Sequence, residues 1–111
     1  MTFEDAAAKA RAFREERDWA QFHNPKDLAI SISLEASELL GTFQWSGSDL
    51  HVTAKKDHMA EELADVSIYC IYLADALGID LSKAVSDKID ANAKRYPISK
   101  SRGSSKKYTE L

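Results

Sequence analysis

The sequence contains little of three residue types that organise many small proteins: one cysteine, two prolines and four glycines in 111 residues. Because Cys70 is alone, it cannot form an internal disulfide, and nothing in the sequence requires an oxidising compartment. With 44% hydrophobic and 30% charged residues, the composition excludes a disordered chain and is typical of a folded, helix-rich protein. The length allows one domain with a single hydrophobic core.

Long apolar segments are also missing. No apolar run is long enough to span a bilayer, and the start, MTFEDAAAKARAF, lacks the apolar core of a signal peptide. A formal net charge of −3 gives no general attraction to nucleic acids or anionic membranes, and only the tail SKSRGSSKKY is clearly basic. We therefore expect a cytoplasmic protein that binds neither nucleic acid nor membranes.

Capping signals predict two helices in the first part of the chain. A capping-box pattern that begins at Thr2 predicts a helix over residues 2–21. Asn24 followed by Pro25 is typical of a helix start, and it predicts a second helix over residues 25–44.

Two further helices follow after the loop WSGSDLHVT. The third is predicted over residues 54–77, with Gly78 as its C-terminal stop. Asp80 is the expected cap of the fourth, which ends before Pro97. Since no segment alternates like a strand, the predicted fold class is all-α, a four-helix bundle.

Two pairs of carboxylates lie within the most apolar predicted helices. Glu35 and Glu38 are three residues apart in SLEASELLGTFQW, and Glu62 and Asp65 have the same spacing in the third helix. Residues three apart share a helix face, so each pair presents two charges together. Buried charges need compensation, which protonation, a basic partner or a divalent cation can supply. The flanking segments offer few basic partners, and oxygen ligands favour Mg²⁺ or Mn²⁺ over zinc.

Three other interpretations of the carboxylates remain open at this level. A single ExxE pattern is usually a solvated helix face, and Glu61 fits that description. A di-iron bundle usually carries Glu-x-x-His, but Asp65 follows Glu62 here and His58 precedes it by one turn. A non-catalytic helical assembly domain with a structural metal is the third alternative.

The ordered set of motifs resembles a known family. ExxE, a spacer of 23 residues and ExxD, present here as EASE and ELAD, resemble the MazG-like all-α nucleoside triphosphate pyrophosphohydrolases. The similarity is greater to their dCTP pyrophosphatase branch. It extends over nearly the whole chain, through the segments REERDWAQFHNPKDLA, FQW, EELADVSIYCIYLA, KIDANAKRYP and SRGSSKKYTEL.

The resemblance implies a reaction and an assembly. Members depend on Mg²⁺ and hydrolyse a nucleoside triphosphate between the α- and β-phosphates, releasing the monophosphate and pyrophosphate. The oxygen ligands leave Mn²⁺ as an alternative cation. Their role is the cleansing of nucleotide pools, and they assemble as homodimers or as homotetramers built from dimers. By this resemblance, residues 1–98 form the MazG-like helical domain. Residues 99–111 form a basic C-terminal tail that could be ordered against a neighbouring subunit.

The resemblance also implies residue roles, by position. The expected metal ligands are Glu35, Glu38, Glu62 and Asp65, and either Glu35 or Glu38 is the expected catalytic base. Lys88, Asn92 and Arg95 share a side of the fourth helix with apolar residues, so we predict that they face inward. Bases stack well on aromatic rings. The complete set of expected substrate-binding residues is Trp19, Trp45, Tyr69, Lys88, Asn92, Arg95 and Tyr96.

One position departs from the family pattern. In dCTP-selective relatives we expect a histidine nine residues before the tryptophan of ERDW, and this chain has Ala10 there. The absence of this histidine weakens the inference of dCTP selectivity but not that of the reaction. The resemblance still implies dCTP or a modified dCTP as the substrate, with another base preference, such as dUTP, as the alternative.

Overall fold

The computed structural model describes residues 1–111 and contains helices but no β-strand, which confirms the all-α class. No helix combines the length and the apolar composition that crossing a lipid bilayer requires. Short 3₁₀ turns occupy Ala20–Phe22, Thr53–Lys55 and Tyr108–Glu110. The α-helices are α1 (Phe3–Glu16), α2 (Pro25–Gly41), α3 (Lys56–Leu77), α4 (Leu81–Arg95) and α5 (Ile98–Ser101).

The predicted caps of the first two helices are confirmed. The backbone N–H of Thr2 donates to Asp5 Oδ2 at 2.9 Å, and the N–H of Asp5 donates to Thr2 Oγ1 at 3.1 Å. Asn24 Oδ1 accepts from the N–H of Asp27 at 2.9 Å, and Pro25 is the first residue of α2. These bonds satisfy amide groups that have no partner within the helix.

The predicted end of α3 and the predicted start of α4 are also confirmed. Gly78 ends α3 in the left-handed conformation with a φ of 67°, which glycine adopts without a Cβ clash. Asp80 Oδ1 then accepts from the N–H of Lys83 at 3.1 Å and caps α4. The helix α3 begins at Lys56, two residues after the predicted start, because a 3₁₀ turn precedes it.

Two predicted helix ends are wrong by several residues. The first helix ends at Glu16 rather than Gln21, because Asp18 adopts a left-handed φ of 51°, which interrupts the helical pattern. The second ends at Gly41 rather than Gln44, in a series of turns that leads to a φ of 66° at Trp45.

Residues 1–78 form one compact unit in which α2 packs along α3, and α1 also contacts α3. Its buried side chains include Leu28 of α2 and Ile71 of α3. The hydroxyl of Tyr72 donates to the backbone oxygen of Ala10 at 2.6 Å and so ties α3 to α1. This packing fixes the positions of the carboxylates on α2 and α3 and of the surface between α1 and α3.

Arginines of α1 add a second tie to α3. Arg11 Nε and Arg14 Nη1 each donate to Asp75 Oδ2 at 3.0 Å. Arg14 also lies over the ring of Tyr72, 5.1 Å from its centroid. Although burial opposes it, the hydrogen bonds from both arginines lower the pKa of Asp75.

Residues 79–111 form the second unit, with α4, α5 and the final 3₁₀ turn. The guanidinium of Arg95 lies 5.0 Å from the ring centroid of Tyr108, and the ring of Tyr96 meets the same tyrosine edge-on at 5.9 Å. The basic tail is therefore packed against the end of α4 by aromatic contacts. Within this unit, Val85 and Ile89 of α4 stay exposed.

Candidate active site

Three of the four predicted carboxylates meet between α2 and α3. Glu35 of α2 and Glu62 and Asp65 of α3 each contribute one oxygen to a cluster in which these atoms lie within 4.8 Å of one another. The packing of α2 along α3 brings together two pairs that are separate in sequence. We call these three residues the carboxylate cluster.

The carboxylate cluster is poorly compensated by other protein groups. Glu62 is buried, and one oxygen each of Glu35 and Glu62 (Oε2 in both) is buried without a hydrogen-bond partner. No lysine or arginine lies within ion-pair distance of the cluster, and His58 Nε2 is 3.9 Å from Glu62 Oε1. Buried polar atoms normally have partners, so these oxygens point to an interaction with a further group.

The electrostatics of the carboxylate cluster agree with its geometry. Burial, the close approach of the Glu62 carboxyl group and the charge of Glu38 together raise the pKa of Glu35 to about 7. Burial raises the pKa of Glu62 too, with a further contribution from the charges of Glu38 and Asp65. Full ionisation is therefore unfavourable for the protein alone, because like charges repel within a partly desolvated space.

Glu38, the fourth predicted carboxylate, lies beside the carboxylate cluster but is not one of its three members. Its charge and hydrogen bonding raise the pKa of both Glu35 and Glu62, so it is close to each of them. It is also exposed, whereas Glu35 is half-buried. Glu38 is therefore the member of the predicted set that solvent reaches most easily.

The donor set suits a hard divalent cation. All three members of the carboxylate cluster offer oxygen, and no cysteine or coordinating histidine is among them. Mg²⁺ and Mn²⁺ prefer oxygen ligands, and their charge satisfies lone pairs that otherwise have no partner. The two orphaned oxygens of Glu35 and Glu62 are the observation on which this fit depends.

A cavity of about 730 Å³ opens between α1 and α3, and Asp65 forms part of its wall. The side chains of Trp19 and Tyr69, two of the predicted base-stacking residues, line the same cavity. The structure thus brings together a carboxylate of the cluster and two flat aromatic surfaces in one space, which we call the α1–α3 cavity.

Aromatic groups are concentrated where the C-terminal half of α1 faces α3. The ring of Phe13 meets Trp19 edge-on with centroids 5.5 Å apart. His23 stacks on Tyr72 at 5.0 Å, and Tyr69 meets Tyr72 edge-on at 6.5 Å. These five rings all line the α1–α3 cavity, and we call this region its aromatic end.

Trp45 does not lie in the α1–α3 cavity of its own chain. Because α2 ends at Gly41, Trp45 follows in a turn with a left-handed backbone, and its side chain is 93% exposed. The sequence places it two turns beyond Glu38 on a continuing helix, which is not the observed path of the chain.

The predicted residues of the fourth helix belong to the second unit. In this chain Lys88, Asn92 and Arg95 are exposed, so the prediction that they face inward is wrong for the single chain. These side chains are exposed because no other element of the second unit packs against the apolar side of α4. Tyr96 packs against Tyr108.

Several cavity residues were missed by the sequence patterns. Lys9, His23 and Tyr72 line the α1–α3 cavity but were not among the predicted site residues. For Lys9, the signal that could have found it is the spacing of Ala6, Ala10 and Phe13 on one face of α1. That face was not distinguished from an ordinary packing surface.

Known proteins resemble this chain in sequence and in fold. A family model described as the MazG-like family matches residues 30–111. The chain is 41% identical, over 99% of its length and 68% of theirs, to the dCTP pyrophosphatase 1 proteins of Rattus norvegicus and Homo sapiens.

A crystal structure described as a pyrophosphatase from Archaeoglobus fulgidus has the same fold. It matches with a TM-score of 0.78 and 39% sequence identity, covering 86% of this chain and 92% of that one. Together with the EASE and ELAD motifs and the carboxylate cluster they form, these similarities show that this chain belongs to the MazG-like family.

Proposed function

We propose that this protein is a nucleoside triphosphate pyrophosphohydrolase that cleaves between the α- and β-phosphates of dCTP or a modified dCTP. The products are the nucleoside monophosphate and pyrophosphate. The single observation that carries the proposal is the carboxylate cluster, with its two unpartnered buried oxygens, at the wall of a cavity large enough for a nucleotide. The relatives named dCTP pyrophosphatase 1 support the choice of base.

Glu35, Glu62 and Asp65 would hold a divalent cation, Mg²⁺ or alternatively Mn²⁺, and Glu38 completes the acidic surface beside them. Such a cation would supply positive charge that neutralises the phosphate oxygens. Because Glu62 is buried, little water reaches its side of the site, and the attraction between its carboxylate and a bound cation would be stronger there than in water.

Glu35 and Glu38 are the two candidates for the base that takes a proton from the attacking water. Glu38 is the better placed of the two, because it is exposed and lies outside the carboxylate cluster. A general base must lie within hydrogen-bond distance of the attacking water, and a carboxylate that is not a metal ligand is free to do so. The water then attacks the α-phosphorus, the bond to the bridging oxygen breaks, and pyrophosphate leaves.

The base of the nucleotide binds at the aromatic end of the α1–α3 cavity. Trp19 and Tyr69 both present rings there, and stacking on an aromatic ring contributes about 1–3 kcal/mol per base. Ala10 leaves room in the same wall, so the base preference is open to substituted cytosines. Trp45, which is exposed in the single chain, takes its predicted stacking role only in an assembled form.

Self-association, as a homodimer or a homotetramer, is part of the proposal. Ile30 and Leu34 lie one turn apart on α2, and their side chains are 49% and 61% exposed. The sequence makes α2 apolar on two sides, and its own unit leaves this second side uncovered. Exposed apolar patches of this kind mark interaction surfaces.

Lys88, Asn92 and Tyr96 are proposed to contact the phosphate or sugar side of the substrate, and Arg95 is retained as a substrate-binding residue. The tail 99–111 is proposed to be ordered against a neighbouring subunit. Removing residues 99–111 then raises the Michaelis constant or changes the oligomeric state. A truncated protein unchanged in both respects would remove the tail from the proposal.

A panel of nucleoside triphosphates tests the proposed activity. Pyrophosphate release is measured for dCTP, 5-methyl-dCTP, dUTP, dTTP, dATP and dGTP with Mg²⁺, and again with EDTA in excess. We expect release from dCTP or its substituted form, and its loss in EDTA. Absence of release from every nucleotide contradicts the proposal, and an iron-oxo absorption band in the purified protein favours a di-iron bundle instead.

A further inference from the structure

Lys9 is the only lysine or arginine in the wall of the α1–α3 cavity. The other basic side chain there, His23, has its pKa lowered by burial and by the charge of Arg14, so its ring is neutral near pH 7. The ammonium group of Lys9 makes no hydrogen bond or ion pair within the chain, unlike Arg11 and Arg14 of the same helix. The ammonium group of Lys9 therefore does not stabilise the fold through a polar contact.

The two ends of the α1–α3 cavity differ in chemistry. At the aromatic end, Phe13 meets Trp19 and His23 stacks on Tyr72. Asp65 precedes Tyr72 by seven residues on α3, which is about 10 Å along a helix. The cavity residues that precede Asp65 on α3 are Ala60, Leu63 and Ala64, so Asp65 is the only charged group in this stretch of the α3 wall, and we call this part of the cavity the acidic end.

Lys9 stands between these two ends. It precedes Phe13 by four residues, or about 6 Å along α1. Long helical side chains lean towards the N-terminus of their helix, so the ammonium group points away from Phe13 and from the rings around it. The other α1 residues that line the cavity beyond it, Phe3 and Ala6, carry no charge.

We propose that Lys9 binds the phosphate groups of the nucleotide from the α1 side of the α1–α3 cavity. The inference rests on the proposed function, which places the base at the aromatic end and the reacting phosphates beside Asp65. In that orientation the phosphate groups of the substrate lie beside Lys9. Lys9 is then a substrate-binding residue. A cation held by the carboxylate cluster would neutralise part of the phosphate charge, and the ammonium group of Lys9 would compensate part of the remainder.

The test compares binding of a charged and an uncharged ligand. The α,β-methylene analogue of dCTP cannot be cleaved at the reacting bridge, and deoxycytidine has the same base and sugar without phosphates. Dissociation constants for both are measured by calorimetry, with Mg²⁺, for the full-length protein. The variants are K9M, which keeps the apolar stem, K9R, which keeps the charge, and K26M, which removes an exposed lysine of α2 outside the cavity.

We expect K9M to weaken binding of the analogue about tenfold, as loss of a charge-assisted contact does, and to leave deoxycytidine unchanged. K9R should stay within about threefold of the wild type, and K26M should match it. In K9M the affinity for the analogue should also depend less steeply on salt concentration.

Two results overturn the role of Lys9 alone: unchanged analogue binding in K9M, or equal weakening of the analogue and deoxycytidine. The second result means that Lys9 contacts the base or sugar, or shapes the cavity wall. If the wild type binds neither ligand, the proposed function fails, and the role of Lys9 fails with it.

Discussion

Glu35 of α2 and Glu62 of α3 each bury a carboxylate oxygen without a hydrogen-bond partner, and the two groups approach within 4.8 Å. A folded protein tolerates such a pair only when something compensates its charge. Here the nearest side chain that could do so is His58, at 3.9 Å from Glu62. We therefore expect the four carboxylates at this position, Glu35, Glu38, Glu62 and Asp65, to be sensitive to substitutions that change their charge.

The substitution E62Q should abolish turnover while preserving the fold. Removal of a direct ligand should lower kcat/KM by at least about 100-fold, because even supporting groups around a metal contribute about 10–100-fold. The matched control is E61Q, since Glu61 is the exposed neighbour on the same helix. Circular dichroism checks that both variants are helical, and similar activities for the two would show that Glu62 holds no metal.

Neutralising Asp75 should destabilise the contact between α1 and α3 in a pH-dependent way. The side chain of Asp75 is 26% exposed and is bonded by two arginines, so we expect D75N to cost about 1–2 kcal/mol at pH 7. The lowered pKa of Asp75 means that the folded state holds fewer protons than the unfolded state near pH 4. This contribution is present above that range and is lost as the pH falls through the folded pKa.

Thermal unfolding of the wild type and D75N at pH 7 and at pH 3 measures this effect. The control is E15Q, because Glu15 pairs with the same Arg14 but is 61% exposed, and its loss should cost under about 0.5 kcal/mol. If D75N and E15Q shift the unfolding temperature equally, or if the D75N deficit grows at low pH, the ion pair is not the cause.

Replacing Trp19 should weaken binding of the base and spare binding of the phosphates. W19A should raise the dissociation constant of a cytosine nucleotide about tenfold or more, given the energy of aromatic stacking. Deoxyribose 5′-triphosphate, which has no base, should bind both proteins alike. The control is F22A, since Phe22 is an exposed aromatic residue outside the α1–α3 cavity. Equal losses in W19A and F22A would argue against a stacking role.

Charge placed on the uncovered side of α2 should disrupt self-association. L34D introduces a carboxylate where an apolar side chain is 61% exposed, and we expect a smaller particle mass by light scattering. A12D adds the same charge to an exposed position of α1 that lies outside the α1–α3 cavity, and it should keep the wild-type mass. A wild-type protein that is monomeric at all concentrations would contradict the proposed assembly.

Local sequence signals predicted the helices well, because helix caps depend on neighbouring residues. Thr2, Asn24 and Asp80 each accept the backbone bond that their position implies, and Gly78 adopts the left-handed stop. The helix ends at Glu16 and Gly41 were not predictable in the same way. They are followed by left-handed conformations at Asp18 and Trp45, two residues without a strong breaker signal, and Gly41 ends its helix without the left-handed conformation that Gly78 adopts.

The candidate site was predictable where spacing carried the information. Charges three residues apart within an apolar helix predicted the approach of Glu35 to Glu62 and Asp65. The cavity could not be predicted, because it depends on which faces of α1 and α3 meet. The sequence therefore does not distinguish Lys9 from an ordinary surface lysine, and only the structure shows that it lines the cavity.

If dCTP is hydrolysed between the α- and β-phosphates, the product that receives the oxygen atom of the attacking water identifies the reacting phosphorus. The protein is incubated with dCTP and Mg²⁺ in ¹⁸O-labelled water, and the products are separated for mass spectrometry. We predict dCMP and pyrophosphate in equal amounts, with one labelled oxygen in dCMP and none in pyrophosphate. Release of dCDP and inorganic phosphate would contradict cleavage between the α- and β-phosphates, and label in pyrophosphate would contradict attack at the α-phosphorus.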